Sequence, residues 1–209
     1  MVLKADRIAE RLKNLSGSDD PLIITPQPNL EELGDSGSAS VDLRLGTWFM
    51  TLRPNRAAML SMSEVESSPQ KGRPTRMQYV PFGEQFYLHP GQFVLGATME
   101  WIRLPHDLAG YVVGKSSWGR RGLVIATAVG IHPGFSACLT LEITNLGEMP
   151  FAIMPGMAIC QLFLHTTEST SQKTARSSFI GKRRPTLGTI RPDPIACKLR
   201  RSAKSVERA

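Results

Sequence analysis

The sequence is poor in cysteine and lacks the motifs that usually hold catalytic metal ions. It has three cysteines in 209 residues and no C-x-x-C pair, so no disulfide framework is expected. Its four histidines form no H-x-x-x-H or H-E-x-x-H motif. The H-x-E and P-C-x-x-C elements that zinc deaminases need are also missing. If this chain deaminates a base, it must therefore activate water without zinc.

Long hydrophobic segments and two common catalytic motifs are absent as well. No apolar run approaches the roughly 20 residues that cross a bilayer, and residues 1–15 carry charges where a signal peptide would be apolar. The chain has no Walker A loop and no G-x-S-x-G elbow. We therefore expect a cytoplasmic protein that does not bind membranes.

The excess of positive charge is confined to the C-terminal part of the chain. Of 25 Lys and Arg and 18 Asp and Glu, residues 166–209 contain 11 and 3, which leaves 14 and 15 in residues 1–165. We therefore predict one nearly neutral domain over 1–165 and a basic C-terminal tail over 166–209. The tail could attract phosphate groups, or its end could be solvated and partly disordered. Nucleic acid is not an expected partner, since Phe179 is the tail's one aromatic residue.

Periodicity predicts a short helix followed by a succession of short strands. Apolar residues recur at near-helical spacing over residues 3–15, which predicts an amphipathic helix. From residue 40 onward, short apolar runs alternate with Gly and Pro turns, which is typical of an all-β sandwich or barrel. Residues 54–80 are polar and aperiodic and predict a long loop or hairpin insertion. The predicted strands are 22–25, 40–45, 48–52, 85–88, 93–98, 101–104, 110–113, 123–126, 138–144, 151–153 and 158–165.

The segment GKSSWGRRG at 114–122 is a candidate phosphate-binding loop. It places two adjacent hydroxyls, a lysine and two arginines between glycines. Backbone N–H groups, hydroxyls and cationic side chains are the donors that polyphosphate recognition requires. A plain basic surface loop has the same composition, so the segment alone does not decide between the two interpretations.

Glu142 is the second candidate, because it lies in the middle of a predicted strand, on the polar face. Leu139, Leu141 and Ile143 alternate with polar residues, which indicates a strand with one apolar face. Glu142 then projects from the other face, among threonines. In a cleft, burial would raise the pKa of its carboxyl toward the range of a general base. On an open sheet, it would be an ordinary solvent-facing Glu.

Several motifs, taken in order along the chain, resemble those of the dCTP deaminase family. They are SVDLRLG at 40–46, FYLHPG at 86–91, GKSSWGR at 114–120, TAVGIHPGF at 127–135, LEITNLG at 141–147 and MPGMAICQ at 154–161. The resemblance spans roughly residues 1–165. The same superfamily includes the trimeric dUTPases, which share the Ser-Ser loop and the Gln-containing strand.

The resemblance implies a fold, an assembly and a reaction. The fold would be an all-β distorted jelly roll or β-barrel of the dUTPase-like type with a short N-terminal helix. The chain would assemble as a homotrimer with active sites between subunits. The reaction would be hydrolysis of dCTP to dUTP and ammonia in pyrimidine deoxynucleotide metabolism. Mg²⁺ would be bound through the triphosphate, without zinc.

Carried over by position, the resemblance also implies roles for individual residues. Glu142 would be the general base that activates water, and Arg120 would support its charge state. Ser116 would place the water or the amino group, and the Ala128 carbonyl would face the base. The phosphates would be held by Lys115, Ser116, Ser117 and Gln161.

Two positions depart from the family pattern. Lys115 stands where Arg is usual, which keeps the charge but loses the bidentate fork. His132 stands where the motif I-D-P-G usually has Asp, a residue that contacts the sugar in deaminases and activates water in dUTPases. The change therefore favours a deaminase over a dUTPase-like or bifunctional pyrophosphatase, and it leaves sugar recognition by His132 open.

The basic tail resembles the family's C-terminal lid only loosely. Residues 179–188 could close over bound phosphates, with Lys182, Arg183 and Arg184 as ligands. A non-catalytic nucleotide-sensing protein on the same fold is a further alternative, because one fold can host several functions.

Overall fold

The chain divides into a larger and a smaller compact unit. The computed structural model describes residues 1–14, 17–52, 75–126, 130–168, 177–188 and 193–199. The larger unit comprises Met1–Leu52 and Thr75–Thr186, and the smaller one comprises Arg53–Pro74 and Leu187–Ala209. In the smaller unit, residues 194–199 form a helix that begins at Asp193, whose Oδ1 accepts two backbone N–H groups at 2.7 and 2.9 Å.

The larger unit consists mainly of β-strands, which confirms the predicted all-β class. Its helices are α1 (Ala5–Lys13), α2 (Leu30–Asp35) and α3 (Ser116–Gly119). Its strands are β1 (Ile23–Thr25), β2 (Ser40–Leu52), β3 (Thr75–Tyr79), β4 (Phe86–Leu88), β5 (Phe93–Arg103), β6 (Leu108–Gly114), β7 (Leu123–Ile125), β8 (Gly130–Ile131), β9 (Ser136–Asn145), β10 (Phe151–Ile153) and β11 (Ala158–Thr166).

Nine of these strands form one antiparallel sheet that curls on itself. The strand order is β7-β9-β5-β2-β11-β6-β8, with β1 added to β5 and β3 added to β2. Strands β4 and β10 form a separate two-stranded sheet. Gly114 at the end of β6 lies against Ile125 of β7, since a Cβ at Gly114 would be 3.3 Å from the Ile125 side chain. Strands near opposite ends of the order therefore meet, as in a half-closed barrel.

Two pairs of predicted strands are single long strands with a bulge. Segments 40–45 and 48–52 join as β2, and segments 93–98 and 101–104 join as β5. The pairing register shifts between Leu45 and Phe49 on one strand and between Ala97 and Trp101 on the other. A β-bulge leaves unpaired residues and breaks the polar-apolar alternation, so the sequence pattern stops there although the strand continues.

The N-terminal helix is shorter than the predicted 3–15. Ile8 and Leu12 of α1 are fully buried in the core, as the spacing predicted. Leu3 instead donates its N–H to the Leu164 carbonyl at 2.8 Å, so the chain before α1 pairs with β11. The strand β3 forms a hairpin with β2, in agreement with the hairpin interpretation of 54–80. Residues 53–74 lie outside the described part of the chain.

Candidate functional site

The Ser-Ser loop begins directly after β6 and folds into the short helix α3. The Lys115 N–H donates to the Ile159 carbonyl at 3.1 Å, which fixes the start of the loop on β11. Trp118 packs against the core and donates its indole N–H to the Ala158 carbonyl at 2.9 Å. Ser116 and Ser117 are exposed. The loop is thus attached to β11, while its two serines are exposed.

Lys115 and Gln161, both predicted phosphate ligands, converge on the same carboxylate. The Lys115 ammonium forms a close ion pair with Asp42 Oδ2. The Gln161 amide donates to Asp42 Oδ1 at 3.1 Å and to Ser40 Oγ at 3.3 Å. The side chains of Lys115 and Asp42 remain 26% and 44% exposed. The structure therefore brings two of the predicted ligands together and adds a counter-charge.

Asp42 was missed by sequence reasoning, although a signal for it exists. The odd-numbered residues of 41–45 are buried and apolar, so the even-numbered ones share the opposite face of β2. Asp42 and Arg44 are therefore neighbours on that face. The alternation within SVDLRLG shows this, but nothing in the sequence shows that Lys115 and Gln161 lie beside it.

Glu142 projects from the centre of β9, as predicted. Leu141 and Ile143 are fully buried, and the Glu142 side chain lies half-buried on the opposite face, across from Leu95 on β5. The Glu142 carbonyl accepts the Ala126 N–H at 2.9 Å, which holds the end of β7 beside it. Among the described residues, no side chain forms a hydrogen bond or ion pair with its carboxylate.

Among the described residues, no hydrogen bond or ion pair joins Arg120 or Ser116 to Glu142. Arg120 follows α3, where its N–H donates to the Ser116 carbonyl at 2.9 Å, and its side chain is exposed. No ion pair joins Arg120 to a carboxylate in the parts of the chain that the structure describes. The described residues thus show no direct polar contact within the predicted catalytic set, although α3 leads into β7, which pairs with β9 next to Glu142.

His132 lies in an exposed turn after β8. The Phe135 N–H donates to the His132 carbonyl at 3.2 Å, and Gly134 has a φ of +74°, which closes the turn. The His132 imidazole is exposed. Ala128 lies outside the described residues, so its predicted role stays a prediction.

An ion pair between the partly exposed Arg44 and a buried carboxylate, Glu100, lies next to Asp42 and was also missed. Glu100, in the β5 bulge, is only 1% exposed. Its carboxylate accepts the Arg44 N–H at 2.8 Å and an Arg44 guanidinium N–H at 3.1 Å. Burial raises the pKa of the Glu100 carboxyl, while the bonds and charge of Arg44 oppose the rise. This pair fixes β2 to the bulge beside the Lys115 cluster.

The cysteines near this region are packed into the protein as small hydrophobic side chains. Cys138 and Cys160 are buried and free. Burial raises the pKa of the Cys160 thiol to about 12 and that of Cys138 in the same direction. Neither is therefore a thiolate at neutral pH, as is usual for buried cysteines that pack as small hydrophobic residues.

Residues 179–186, which we call the strap, pair with β9 and contact tryptophans of β5 and β2. The Gly181 N–H donates to the Ser136 carbonyl at 2.8 Å, and the Lys182 carbonyl accepts the Cys138 N–H at 2.9 Å. These bonds join the strap to the edge of β9. Beyond them, Arg183 stacks over Trp101 with its Cζ 4.9 Å from the ring centroid, and Arg184 stacks over Trp48 at 3.8 Å.

Metal-binding clusters and membrane-spanning helices are both absent from the described residues. Among those residues, no group of three or more His, Cys, Asp and Glu side chains is arranged to hold a metal ion. In the same part of the chain, no helix combines the length and the apolar character needed to span a membrane.

Comparison with known proteins identifies a family. A family model described as dCTP deaminase-like matches residues 2–167, which is most of the chain. The fold is similar to that of the dCTP deaminase from Agrobacterium tumefaciens, with a TM-score of 0.56 and 19% sequence identity. The match covers 79% of this chain and 48% of that chain, so this chain spans about half the length of that relative. At this identity the likeness shows the dUTPase-like fold and not the reaction.

Two dUTPases match at lower scores. The EIAV dUTPase matches with a TM-score of 0.37 and 19% identity, over 63% of this chain and 99% of that chain. A point mutant of the dUTPase from phage phi11 of S. aureus matches with a TM-score of 0.38 and 16% identity, over 62% of this chain and 97% of that chain. Likenesses at this level support no conclusion about the present chain.

Proposed function

The chain belongs to the dCTP deaminase-like family, and on this premise we propose that it hydrolyses dCTP to dUTP and ammonia. The observation that carries the proposal is Glu142, a half-buried carboxylate without a partner among the described residues, on the outward face of β9. A carboxylate in such a position is available to take a proton from water.

In the proposed reaction, the Glu142 carboxylate removes a proton from a water molecule. The water oxygen attacks C4 of the cytosine ring at the same time. The carbon becomes tetrahedral as the electron pair of the C4=N3 bond moves to N3, and the carboxyl delivers its proton to N3. The carboxylate then takes the proton of the new C4 hydroxyl and passes it to the amino nitrogen, while the C4=O bond forms. The C–N bond breaks in the same step, which leaves dUTP and ammonia. Ser116 would orient the water or the amino group, and Arg120 would stabilise the carboxylate form of Glu142. The Ala128 carbonyl would face the base and accept a hydrogen bond from it.

We propose an active site shared between subunits, because no hydrogen bond or ion pair among the described residues joins Arg120 or Ser116 to Glu142. Within one chain, the Ser-Ser loop follows β6 and Glu142 lies on β9. In the homotrimer that we propose, the α3 loop of one subunit would face Glu142 of the next. Each subunit would then contribute half of two sites.

The phosphate chain would be bound at the loop. Lys115, Ser116, Ser117 and Gln161 would supply cationic and neutral donors, and Lys182 would approach from the strap. His132 would lie near the sugar. Mg²⁺ would be carried by the phosphate oxygens, which are the hard oxygen ligands that this ion prefers. When bound, the ion would supply neutralisation of phosphate charge, and the deamination step itself would be performed by protein groups.

One assay separates this reaction from its alternatives. The protein is incubated with dCTP, dUTP or CTP and Mg²⁺, while ammonia and pyrophosphate are measured separately. We expect ammonia from dCTP and its loss in Glu142→Gln, with the exposed Glu148→Gln as a matched control that keeps the activity. Pyrophosphate without ammonia would identify a dUTPase-like enzyme, and binding without either product would identify a nucleotide-sensing protein.

A further inference from the structure

Asn145, at the end of β9, is a fully buried polar residue whose hydrogen-bonding groups all have partners. Its side-chain amide donates to the Leu88 carbonyl at 2.9 Å and to the Met149 carbonyl at 2.8 Å, and its Oδ1 accepts the Gly147 N–H at 2.9 Å. Its backbone N–H and carbonyl bond to residues 91–92. A buried polar group is costly unless it is paired, so this set of bonds holds Asn145 in one position.

Two glycines beside Asn145 bring the end of the Ser-Ser loop against the end of β9. The Gly122 carbonyl accepts the Leu146 N–H at 2.8 Å. Gly122 has a φ of +94°, and a Cβ at this position would lie 2.6 Å from the backbone N of Gly147. A Cβ at Gly147 would in turn lie 3.2 Å from the Arg121 carbonyl oxygen. Only glycine at position 122 therefore allows the two backbones to approach this closely.

These three residues, Gly122, Asn145 and Gly147, which we call the junction, join the two segments that carry the proposed catalytic groups. Gly122 follows Arg120 by two residues in the chain. Asn145 lies about 10 Å beyond Glu142 along β9, at roughly 3.3 Å per residue. Between these points β7 pairs with β9. The junction therefore fixes the course of the chain from Arg120 to the strand that holds Glu142.

The other end of the loop is attached to different strands. The Lys115 N–H donates to the Ile159 carbonyl of β11. The Lys115 and Gln161 side chains both contact Asp42 of β2. A displacement at the junction should therefore move Arg120 relative to the strand of Glu142 and leave the Lys115 cluster in place.

We propose that the junction is the positioning device of the proposed active site, because it fixes the directions in which one subunit presents Arg120 and Glu142. This point rests on the proposed function, in which each site combines the loop of one subunit with Glu142 of the next. Every subunit contributes both halves, so a change of angle at the junction misplaces the groups in all sites. The three residues of the junction are positioning residues, since they act through Arg120 and Glu142 and not on the reacting atoms.

The variant Gly122→Ala tests the proposal, with Gly83→Ala as its matched control. The two glycines have φ of +94° and +90°, so both substitutions strain the backbone alike. A Cβ at Gly83 meets no atom within 4 Å, whereas a Cβ at Gly122 must push Gly147 away. Only Gly122→Ala therefore displaces the loop from β9. Gly147→Ala, with its 3.2 Å approach to the Arg121 carbonyl, is the milder variant if Gly122→Ala does not fold.

Kinetic measurements separate misplacement of the catalytic groups from loss of substrate binding. We expect kcat for ammonia release from dCTP to fall about 10- to 100-fold in Gly122→Ala and about 3- to 10-fold in Gly147→Ala, because a displacement of about 1 Å has effects of this size. KM for dCTP, and the affinity for inorganic tripolyphosphate measured by calorimetry, should stay within about 2-fold of wild type, since Lys115 is held by β11. Gly83→Ala should leave all three quantities unchanged.

The pH profile supplies a readout that a purely structural role does not change. When Arg120 moves away from Glu142, the carboxylate loses a neighbouring positive charge and is protonated more readily. The acidic limb of the kcat profile should therefore move to higher pH by about one unit in Gly122→Ala or Gly147→Ala. Wild-type kcat and profile in both folded variants would overturn the proposal. A loss of tripolyphosphate affinity as large as the loss of kcat would also overturn it.

Amide NMR spectra of the same variants distinguish this proposal from the function it rests on. In TROSY spectra, Gly122→Ala or Gly147→Ala should change the signals of Arg120 and Glu142 as well as those of the junction, whereas Gly83→Ala should change none of them. Such changes in a protein that releases no ammonia would leave the junction standing and reject the reaction. Ammonia release with changes confined to the junction would keep the reaction and reject the junction as a positioning device.

Discussion

Two basic segments of this protein present their charges in opposite ways. In the Ser-Ser loop, Lys115 is already paired with Asp42, so an incoming phosphate must compete with a carboxylate. In the strap, Arg183 and Arg184 are held by neutral rings and keep their donors unpaired by carboxylates of the described residues. The two segments have similar basic composition. Their affinity for anions nevertheless depends on whether the cation is paired with a carboxylate or packed against a neutral ring.

A third cation, Arg44, differs from both, because its partner, the Glu100 carboxylate, is buried. We expect Arg44→Met to lower the free energy of unfolding by about 3 kcal/mol, since it leaves the Glu100 carboxylate desolvated and unpaired. The partial exposure of Arg44 places the effect at the lower end of the range for such pairs. Urea unfolding measures it.

The exposed pair between Arg7 and Glu10 is the control for that experiment. Arg7→Met removes an ion pair of similar geometry on the surface of α1 and should leave the urea midpoint unchanged. The double variant Arg44→Met/Glu100→Gln should recover part of the lost stability. A loss in Arg44→Met no larger than in Arg7→Met would contradict the assigned role of the buried pair.

The largest expected effect on binding belongs to the loop. Lys115→Met should weaken tripolyphosphate binding about 10- to 100-fold, the range for loss of a hydrogen bond to a charged group. Lys13→Met, which removes an exposed lysine at the end of α1, is the matched control. Calorimetric titration of both variants measures the difference. Equal affinities would show that Lys115 remains with Asp42 and does not bind the anion.

These contacts also show how far the sequence could carry the prediction. The apolar alternation in β9 and the helical spacing in α1 were sufficient for the strand that carries Glu142 and for the buried face of the helix. Such periodicity is a local property of consecutive residues. The two bulges were not predicted, because unpaired residues interrupt the pattern without ending the strand.

The partners of the site residues were beyond the sequence for a different reason. Asp42 and Lys115 are 73 positions apart, and Arg184 lies still farther from Trp48 along the chain. Which residues meet is decided by the strand order and the register of the curled sheet. Individual motifs therefore indicated Lys115 and Gln161 as candidates, whereas Asp42, Glu100 and the two tryptophans emerged only from the folded chain.

Removing Asp42 from the ion pair with Lys115 should change tripolyphosphate affinity in the opposite direction to removing Lys115. Asp42→Asn removes the competitor of the phosphate and should strengthen tripolyphosphate binding about 2- to 5-fold, in proportion to the modest strength of an exposed ion pair. Asp107→Asn disrupts the exposed pair with Arg11 and is the matched control without effect. Weaker binding in Asp42→Asn would mean that Asp42 positions Lys115 and does not compete for it.

The smallest effect is expected in the pH dependence of stability, where Glu100 and Asp20 should have opposite signs. Burial raises the pKa of Glu100 above its ordinary 4.5, so the folded state binds its proton more tightly than the unfolded state. The contribution of Glu100 to the free energy of unfolding therefore falls as pH rises from 4.5 through the folded pKa. The difference between wild type and Glu100→Gln should decrease across that window.

The contribution of Asp20 to the free energy of unfolding should have the opposite pH dependence, so Asp20 serves as the reference for the measurement. Burial alone would raise the pKa of its carboxyl, but hydrogen bonds from His106 and the charge of Arg103 lower it below the ordinary 3.8. Its stabilising contribution is present above 3.8 and is lost as pH falls through the folded pKa. In chemical unfolding at a series of pH values, the difference between wild type and Asp20→Asn should increase with pH, opposite to that for Glu100→Gln. Two differences of the same sign would show that burial does not dominate at Glu100.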